Sequence, residues 1–374
     1  MTMTAPQRVD LSAIDGALEP ARTAVREGAL PGVVVGVADS SGVLVVETIA
    51  GPKTPKLRPD GLFFLASVTK PVVATAFMRL VDAGRVDLHA PIATYVPAFT
   101  GPGKEKVTAW HVLTHTSGIP DQDWDVIRRE RPSAARMLDL VCRTPLKWEP
   151  GSRYEYCSGS FYLLAETMAR LEARPFPAAL RSLLLDPIGM PDTSFDPRHD
   201  RSRIVVVEGI PLGNRILREL LLRFLARAAV PGGGLWGTAD DLLRFGQALL
   251  PRRTGGGNGI LSAAAIAEMT REQTAGILEI AADGTTRDPR YALGWGKPRT
   301  DGGVPSVIGW GAPVKEFVPA SPGTFTHGGA TGTRLWIDPD QDLVFVFLTN
   351  VWGAEDAAMF ATLAEIYKVV DARS

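Results

Sequence analysis

The sequence predicts an α/β fold of the α+β type: one antiparallel sheet assembled from both ends of the chain, with a mostly helical stretch inserted between them. Three observations predict it. Residues 10–27 place Leu11, Ile14, Leu18, Ala21 and Val25 at helical spacing, and two apolar, β-rich runs follow at 32–38 and 43–49. The other end of the chain mirrors this, with runs at 333–337 and 343–348 and then a helical pattern through Ala358, Leu363, Ile366, Tyr367 and Val370. Between them, from Ser67 to Leu278, helix and loop signals dominate.

Each element has a local reason. Asp39-Ser40-Ser41-Gly42 is turn chemistry and makes 32–49 a hairpin. Asp338-Pro339-Asp340-Gln341-Asp342 does the same for the second pair of runs. The expected partition is a discontinuous sheet domain, residues 1–66 and 279–374, and a helical domain, 67–278, with a ligand cleft where they meet. The glycines at 255–259 read as a flexible surface loop; without a following Gly-Lys-Ser/Thr they are weak evidence for a phosphate site.

Bulk properties narrow the function. A chain of 374 residues buries a sizeable core without staples. Forty basic residues against forty-one acidic ones exert no bulk pull on nucleic acid. Cys142 and Cys157, the only cysteines, are too few for a disulfide scaffold or a zinc cluster, and the expectation is two reduced, partly buried thiols. MTMTAPQRVD has no secretory pattern, and no apolar run approaches the roughly 18–20 residues of a membrane span. The expected protein is soluble and cytoplasmic, acts on a small molecule and has no integral membrane segment; whether it forms a homo-oligomer is left open.

The sharpest chemical signal is Phe64-Leu65-Ala66-Ser67-Val68-Thr69-Lys70, followed by Val72, Val73, Ala76, Phe77 and Leu80 at helical spacing. Ser67 then stands at or near a helix N-terminus, with Lys70 on the same face. Pro71 requires the helix to start close by. A serine hydroxyl needs a base to take its proton. A lysine can be that base if burial and the positive end of the helix lower its pKa from about 10.4. Two further segments stand out. Tyr156 follows the turn at Pro150-Gly151 and precedes a helix at 161–171, and Thr326-His327-Gly328-Gly329-Ala330 enters a strand whose glycines let a substrate lie against the backbone.

In these residues the sequence resembles the class C β-lactamase-related serine hydrolases, which include penicillin-recognising enzymes and family VIII carboxylesterases. The elements come in family order: Ser67-x-x-Lys70, His115-Thr116-Ser117-Gly118, Tyr156-x-Ser158, Gly232-Gly233-Gly234 with Thr238-Ala239-Asp240-Asp241, and His327-Gly328-Gly329. The resemblance implies a β-lactamase/transpeptidase-like fold. It implies Ser67 as nucleophile, Lys70 as its proton partner, and Tyr156 as the second member of the relay. It implies an oxyanion hole from the backbone N–H of Ser67 and Ala330, and substrate contacts from Ser158, His327, Gly328 and Gly329.

Two departures bear on substrate. Ser158 stands where the family has asparagine, so the site lacks an amide that both donates and accepts. His327 replaces the lysine of the family's Lys-Thr-Gly, and a histidine is mostly neutral above its reference pKa near 6.5. Both changes favour an uncharged ester. The expected activity is carboxylesterase through acyl-Ser67. The alternatives are β-lactamase, D-amino-acid peptidase, amidase or acyltransferase at the same site, and remotely a non-catalytic binding homologue. No cofactor is called for. His111 and His115 are four apart, but Val112 excludes a His-Glu-x-x-His zinc site, so no metal is expected. Residues 215–228 carry an apolar stripe of Leu217, Leu220, Leu221, Phe224, Leu225 and Ala228. A membrane-surface helix or a cap over an acyl pocket would fit, but the favoured expectation is a core-packed helix with a solvated basic face.

Overall fold

The computed structural model describes residues 11–209, 215–251, 260–281, 283–298 and 319–371. The loop expected at 255–259 lies outside them. Strands β1 (Gly32–Asp39) and β2 (Gly42–Ala50) form the first hairpin. Strands β3 (Phe63–Phe64) and β4 (Trp236–Gly237) pair with each other, as do β5 (Glu279–Ile280) and β6 (Thr286–Arg287). The strands β7 (Phe325–Gly329), β8 (Thr333–Asp338) and β9 (Leu343–Leu348) complete an antiparallel five-stranded sheet ordered β2-β1-β9-β8-β7. The two ends of the chain meet where Val34 pairs with Leu348 and Ala38 with Val344.

The helices are α1 (Leu11–Ala17), α2 (Glu19–Arg26), α3 (Thr69–Asp82), α4 (Ala109–Leu113), α5 (Trp124–Glu130), α6 (Ala134–Arg143) and α7 (Phe161–Leu171). After them come α8 (Phe176–Leu180), α9 (Asp186–Ile188), α10 (Arg215–Ala228), α11 (Ala239–Leu249), α12 (Ala263–Thr270) and α13 (Ala357–Asp371). The single helix expected over 10–27 is two. The chain breaks at Leu18, and Pro20, which has no N–H to give, stands in the first turn of α2.

Strand alternation sorts the core into two layers. Val33, Val35, Val37, Phe345, Phe347 and Trp336 point to one face, under α1, α2 and α13. Val34, Ala38, Val344, Val346, Leu335 and Ile337 point to the other and join the larger core that contains α3, α7 and α11. Burial on both faces is why β1 and β9 read as continuous apolar runs. The helix α11 lies directly on β1 and β9 although it falls within residues 67–278. Gly246 permits this approach, because a Cβ there would collide with Val344. Among the described residues no helix is long and apolar enough to cross a membrane.

Candidate active site

Ser67 stands in a single 3-10 turn, Ala66–Val68, that runs directly into α3. Pro71 occupies the first turn of α3, where no intrahelical bond is lost. Ala66 holds φ +46°, a left-handed conformation that costs a non-glycine residue energy and is retained only where the surroundings impose it. The surroundings do impose it. Phe64 O accepts the Thr331 hydroxyl at 2.6 Å and Leu65 O accepts the Thr333 hydroxyl at 3.0 Å, tying the turn to the β7–β8 loop. On the other side the Leu65 amide donates to Leu235 O at 2.9 Å, and the Leu235 amide donates to Thr69 Oγ1 at 3.1 Å. The turn is thus clamped between the sheet edge and the glycine loop 232–234.

Lys70 is fully buried, and its Nζ lies 2.6 Å from Gly232 O, 3.0 Å from Ser158 Oγ and 3.4 Å from Ser67 Oγ. Burial pushes its pKa down to about 7, against the opposing pull of Asp121 and Cys157. A neutral amine has two N–H donors and one lone pair. Gly232 O and Ser158 Oγ can take the two donors, which leaves the lone pair for the Ser67 hydroxyl. Tyr156 hydrogen-bonds Ser67, and burial raises its phenol above the ordinary value, so it stays protonated. The Lys70 Nζ lies 4.4 Å from the centre of the Tyr156 ring. The structure therefore brings Ser67, Lys70, Tyr156 and Ser158 together.

Segment 155–159, which carries Tyr156 and Ser158, is held by two residues from the preceding loop. His115, at φ +58°, accepts the Cys157 amide on Nδ1 at 3.2 Å, and its carbonyl accepts the Glu155 amide at 2.9 Å. Asp121 Oδ1 accepts the amides of Ser158 at 2.8 Å and Gly159 at 2.7 Å. Asp121 was not among the residues singled out from sequence. Its signal is faint: a short acidic side chain after Pro120 in a loop, acting on amides 37 and 38 positions downstream. His111 instead turns inward to complete a capping box with Thr108 at the start of α4. Among the described residues no group of three or more His, Cys, Asp or Glu side chains could hold a metal ion. Both cysteines are free. Burial raises the Cys157 thiol well above its ordinary value, so it is protonated; its Sγ donates to Asp121 Oδ1 at 3.3 Å and accepts the Ser160 amide at 3.3 Å.

The residues of β7 serve in different ways. His327 is buried beside the site, with Nδ1 2.8 Å from Gly328 O and Nε2 3.1 Å from the Tyr291 hydroxyl. Burial pushes its pKa down to about 3, so the ring is neutral, with both nitrogens occupied. Gly328 faces the Arg334 guanidinium. A Cβ on Gly329 would collide with Leu65 O and Thr333 Oγ1, so glycine lets the strand end close on the Ser67 turn. Ala330 follows and shares a cavity wall with Ala66 and Ser67. Further on, Thr238 of the Thr-Ala-Asp-Asp element caps α11 by accepting the Asp241 amide at 3.2 Å.

The cavity above Ser67 has a volume of about 450 Å³. Ser67, Ser158, Asp121, Gly232 and Ala330 form its polar end, and the remaining wall is largely apolar. His327, Gly328 and Gly329 are not among the residues that line it. Leu221, Phe224, Leu225 and Ala228 of α10 are. The expectation that α10 is simply core-packed is thereby corrected: the second half of its stripe walls the cavity, opposite Met137 of α6 and Tyr162 of α7, which line it as well. The Tyr162 hydroxyl of α7 anchors the end of α10 by donating to Ala228 O at 2.8 Å.

Comparison with known proteins gives a consistent assignment. The family model described as Beta-lactamase matches residues 15–368. Esterase EstB of Burkholderia gladioli is 31% identical over 365 residues, covering 87% of this chain and 88% of that protein. A family VIII carboxylesterase of known structure superposes with a TM-score of 0.73 at 20% identity, over 98% of this chain and 100% of that one. EstCE1, described as a hydrolase with promiscuous acyltransferase activity, does so with a TM-score of 0.73 at 20% identity, over 96% of this chain and 99% of that one. The fold, the order of the motifs and the match over nearly the whole length lead to one conclusion: the chain belongs to the beta-lactamase family.

Proposed function

We propose that this protein is a serine carboxylesterase that works through an acyl-Ser67 intermediate. The observation that carries this reading is the Ser67 hydroxyl beside a buried Lys70 amine whose pKa lies at about 7, at the polar end of an apolar cavity. Ser67 Oγ attacks the ester carbonyl carbon, and its proton passes to Lys70 Nζ. The carbonyl electron pair moves onto oxygen, where the amides of Ser67 and Ala330 would hold it; a single donor of this kind typically lowers a barrier by about 3–4 kcal/mol. Collapse breaks the bond to the alcohol, which takes a proton from Lys70 by way of the Tyr156 hydroxyl. Water then attacks acyl-Ser67, gives a proton to the same relay, and releases the acid as Ser67 Oγ is reprotonated. Lys70 and Tyr156 exchange protons as a pair, so the base is the pair rather than either residue.

Three features favour a neutral ester. His327 is uncharged and tied to Tyr291, so it offers no cation to a substrate carboxylate. The described residues that line the cavity include no lysine or arginine. The one charged side chain among them, Asp121, repels a carboxylate. The relative EstB is named an esterase. This reading keeps residues 1–66 with 279–374, and residues 67–278, as two domains that meet at the site, with α11 crossing over to cover the sheet.

The test is a paired rate assay with p-nitrophenyl butanoate and nitrocefin, run beside Ser67→Ala and with a fluorophosphonate probe. Rapid ester turnover, weak nitrocefin hydrolysis and labelling at Ser67, all lost in the variant, are expected. Fast nitrocefin hydrolysis would overturn the substrate argument. Absence of both labelling and turnover in the unmutated protein would overturn the enzymatic reading.

A further inference from the structure

The cavity is much larger than the reaction needs. Its polar end, at Ser67, Ser158 and Asp121, suffices to hold an ester group, yet the wall continues across three helices that take no part in the chemistry. The helix α5 contributes Trp124 and Ile127, α6 contributes Met137, and α10 contributes Leu221, Phe224 and Leu225. These helices form one cradle. Arg227 of α10 donates to Arg131 O, the C-cap of α5, and α10 packs against α6. Nothing polar in the side chains of Ile127, Met137, Leu221, Phe224 and Leu225 could recognise a sugar, a peptide or a phosphate. The polar side chains of the same wall are engaged elsewhere, Gln122 with Pro120 O and the Thr144 hydroxyl and Tyr162 with Ala228 O, so this surface discriminates mainly by length and shape.

The mouth of the cavity has the same character. Trp124 and Trp352, which both line the wall, are 72% and 46% exposed. On α10, Leu217 lies one turn before Leu221 and on the same face, and it is 50% exposed. The apolar stripe therefore lines the cavity that Ser67 also lines and continues beyond it to exposed Leu217.

We propose that this cavity is a subsite for an unbranched aliphatic chain of about eight to ten carbons, carried on a neutral ester, and that α10 sets the chain preference. The proposal rests on the carboxylesterase reading above. A cavity of about 450 Å³ lies in the range of ligand pockets that bury most of a small organic molecule, so it has room for a chain of this length. Because the stripe continues beyond the mouth, longer chains lie across Leu217 and are tolerated. The preference rises with length and then levels.

The chain can belong to the acid or to the alcohol of the ester, and two substrate series separate these sources. One is p-nitrophenyl esters from acetate to dodecanoate; the other is alkyl acetates from methyl to decyl. In one series kcat/KM is expected to rise about fourfold per methylene, the ratio that burial of one CH₂ supports, or roughly 200-fold from four carbons to eight. The other series stays flat, and whichever rises identifies the source. Leu221→Trp fills the cavity and is expected to cut the eight-to-four-carbon ratio at least tenfold, per Ser67 labelled by fluorophosphonate. Trp124→Ala, at an exposed position that does not threaten folding, is expected to lower the same ratio several-fold. Two flat series, or a ratio unchanged in both variants, overturn the proposal while leaving the esterase reading intact. A protein that neither labels nor turns over butanoate removes the esterase reading and this proposal with it.

Discussion

The rate of this enzyme should follow the titration of one buried amine. On the proposed mechanism Lys70 must be neutral to accept the Ser67 proton, and burial sets its pKa at about 7. The fraction of neutral amine is then about nine-tenths at pH 8 and about one-hundredth at pH 5, so kcat/KM should fall roughly a hundredfold between them. No other group beside the amine is expected to titrate in that window. Burial holds His115 well below its ordinary value and His327 at about 3, and it raises both Tyr156 and Cys157. Asp121 acts on the amine in the opposite sense to burial, favouring its charged form. Asp121→Asn keeps an oxygen acceptor for the Ser158 and Gly159 amides, so the inflection should move to lower pH while the segment stays in place. The assay is kcat/KM for p-nitrophenyl butanoate from pH 5 to 9.5, for the unmutated protein, Asp121→Asn and His115→Asn. A flat profile, a rise that continues toward the ordinary lysine value near 10.4, or an inflection that disappears in His115→Asn would refute the assignment to Lys70. The same depression has a stability consequence of opposite origin. Between about pH 7 and 10.4 the unfolded chain holds a proton on Lys70 that the folded chain does not, so this group makes stability rise with pH across that window.

Tyr156→Phe removes the hydroxyl of the proposed relay and should lower kcat by about 10²–10⁴ with little change in KM, read by steady-state kinetics. Gly329→Ala drives a Cβ into Leu65 O and Thr333 Oγ1 and pushes β7 away from the Ser67 turn. Its kcat/KM should fall by about 10²–10³, the usual effect of a misplaced oxyanion donor, while Ser67 remains in the sequence to be labelled. From sequence alone, an arginine at 327 is expected to recruit carboxylate substrates. The structure predicts destabilisation instead, since the position is buried against Tyr291. The cost should be on the order of 3 kcal/mol or more, as for an uncompensated buried charge, and thermal unfolding measures it.

What the sequence revealed, and what it hid, follows from the range of each interaction. Ser67 and Lys70 are three positions apart at a helix start, so helical periodicity and Pro71 are enough to define their relation. The two hairpins are equally local, and their strands pair in the expected order because turn chemistry brackets each. Asp121 acts on amides 37 and 38 residues away, and no periodic pattern records such a contact. Pro20 carried the break between α1 and α2, yet the apolar spacing of residues 11–25 continues across it, and the pattern outweighed the proline. His327 invited a reading by residue type, as a neutral replacement for a cation. Its direction is set instead by the strand period and by Tyr291, which is 36 positions away.

The α10 stripe shows the limit most clearly. Periodicity gives the width and direction of an apolar face but says nothing of what faces it. A helix whose stripe meets solid core and one whose stripe meets a void have the same spacing. Here Leu222 is buried on one side while Leu221, Phe224 and Leu225 front a cavity, and Leu217 and Leu220 reach solvent. A purely structural helix would bury its larger apolar residues. One that leaves three of them lining a cavity beside Ser67 gives up packing energy at those positions. An aliphatic chain entering the cavity leaves water for that apolar wall, which is worth about 0.8 kcal/mol per buried CH₂, so it recovers stabilisation that the fold itself forgoes. Substrate binding and the completion of the core are, on this argument, the same event. An octanoyl or octyl ligand should therefore raise the melting temperature of the Ser67→Ala protein, and an acetyl one should not. Equal shifts for both would separate the helix from the chain preference.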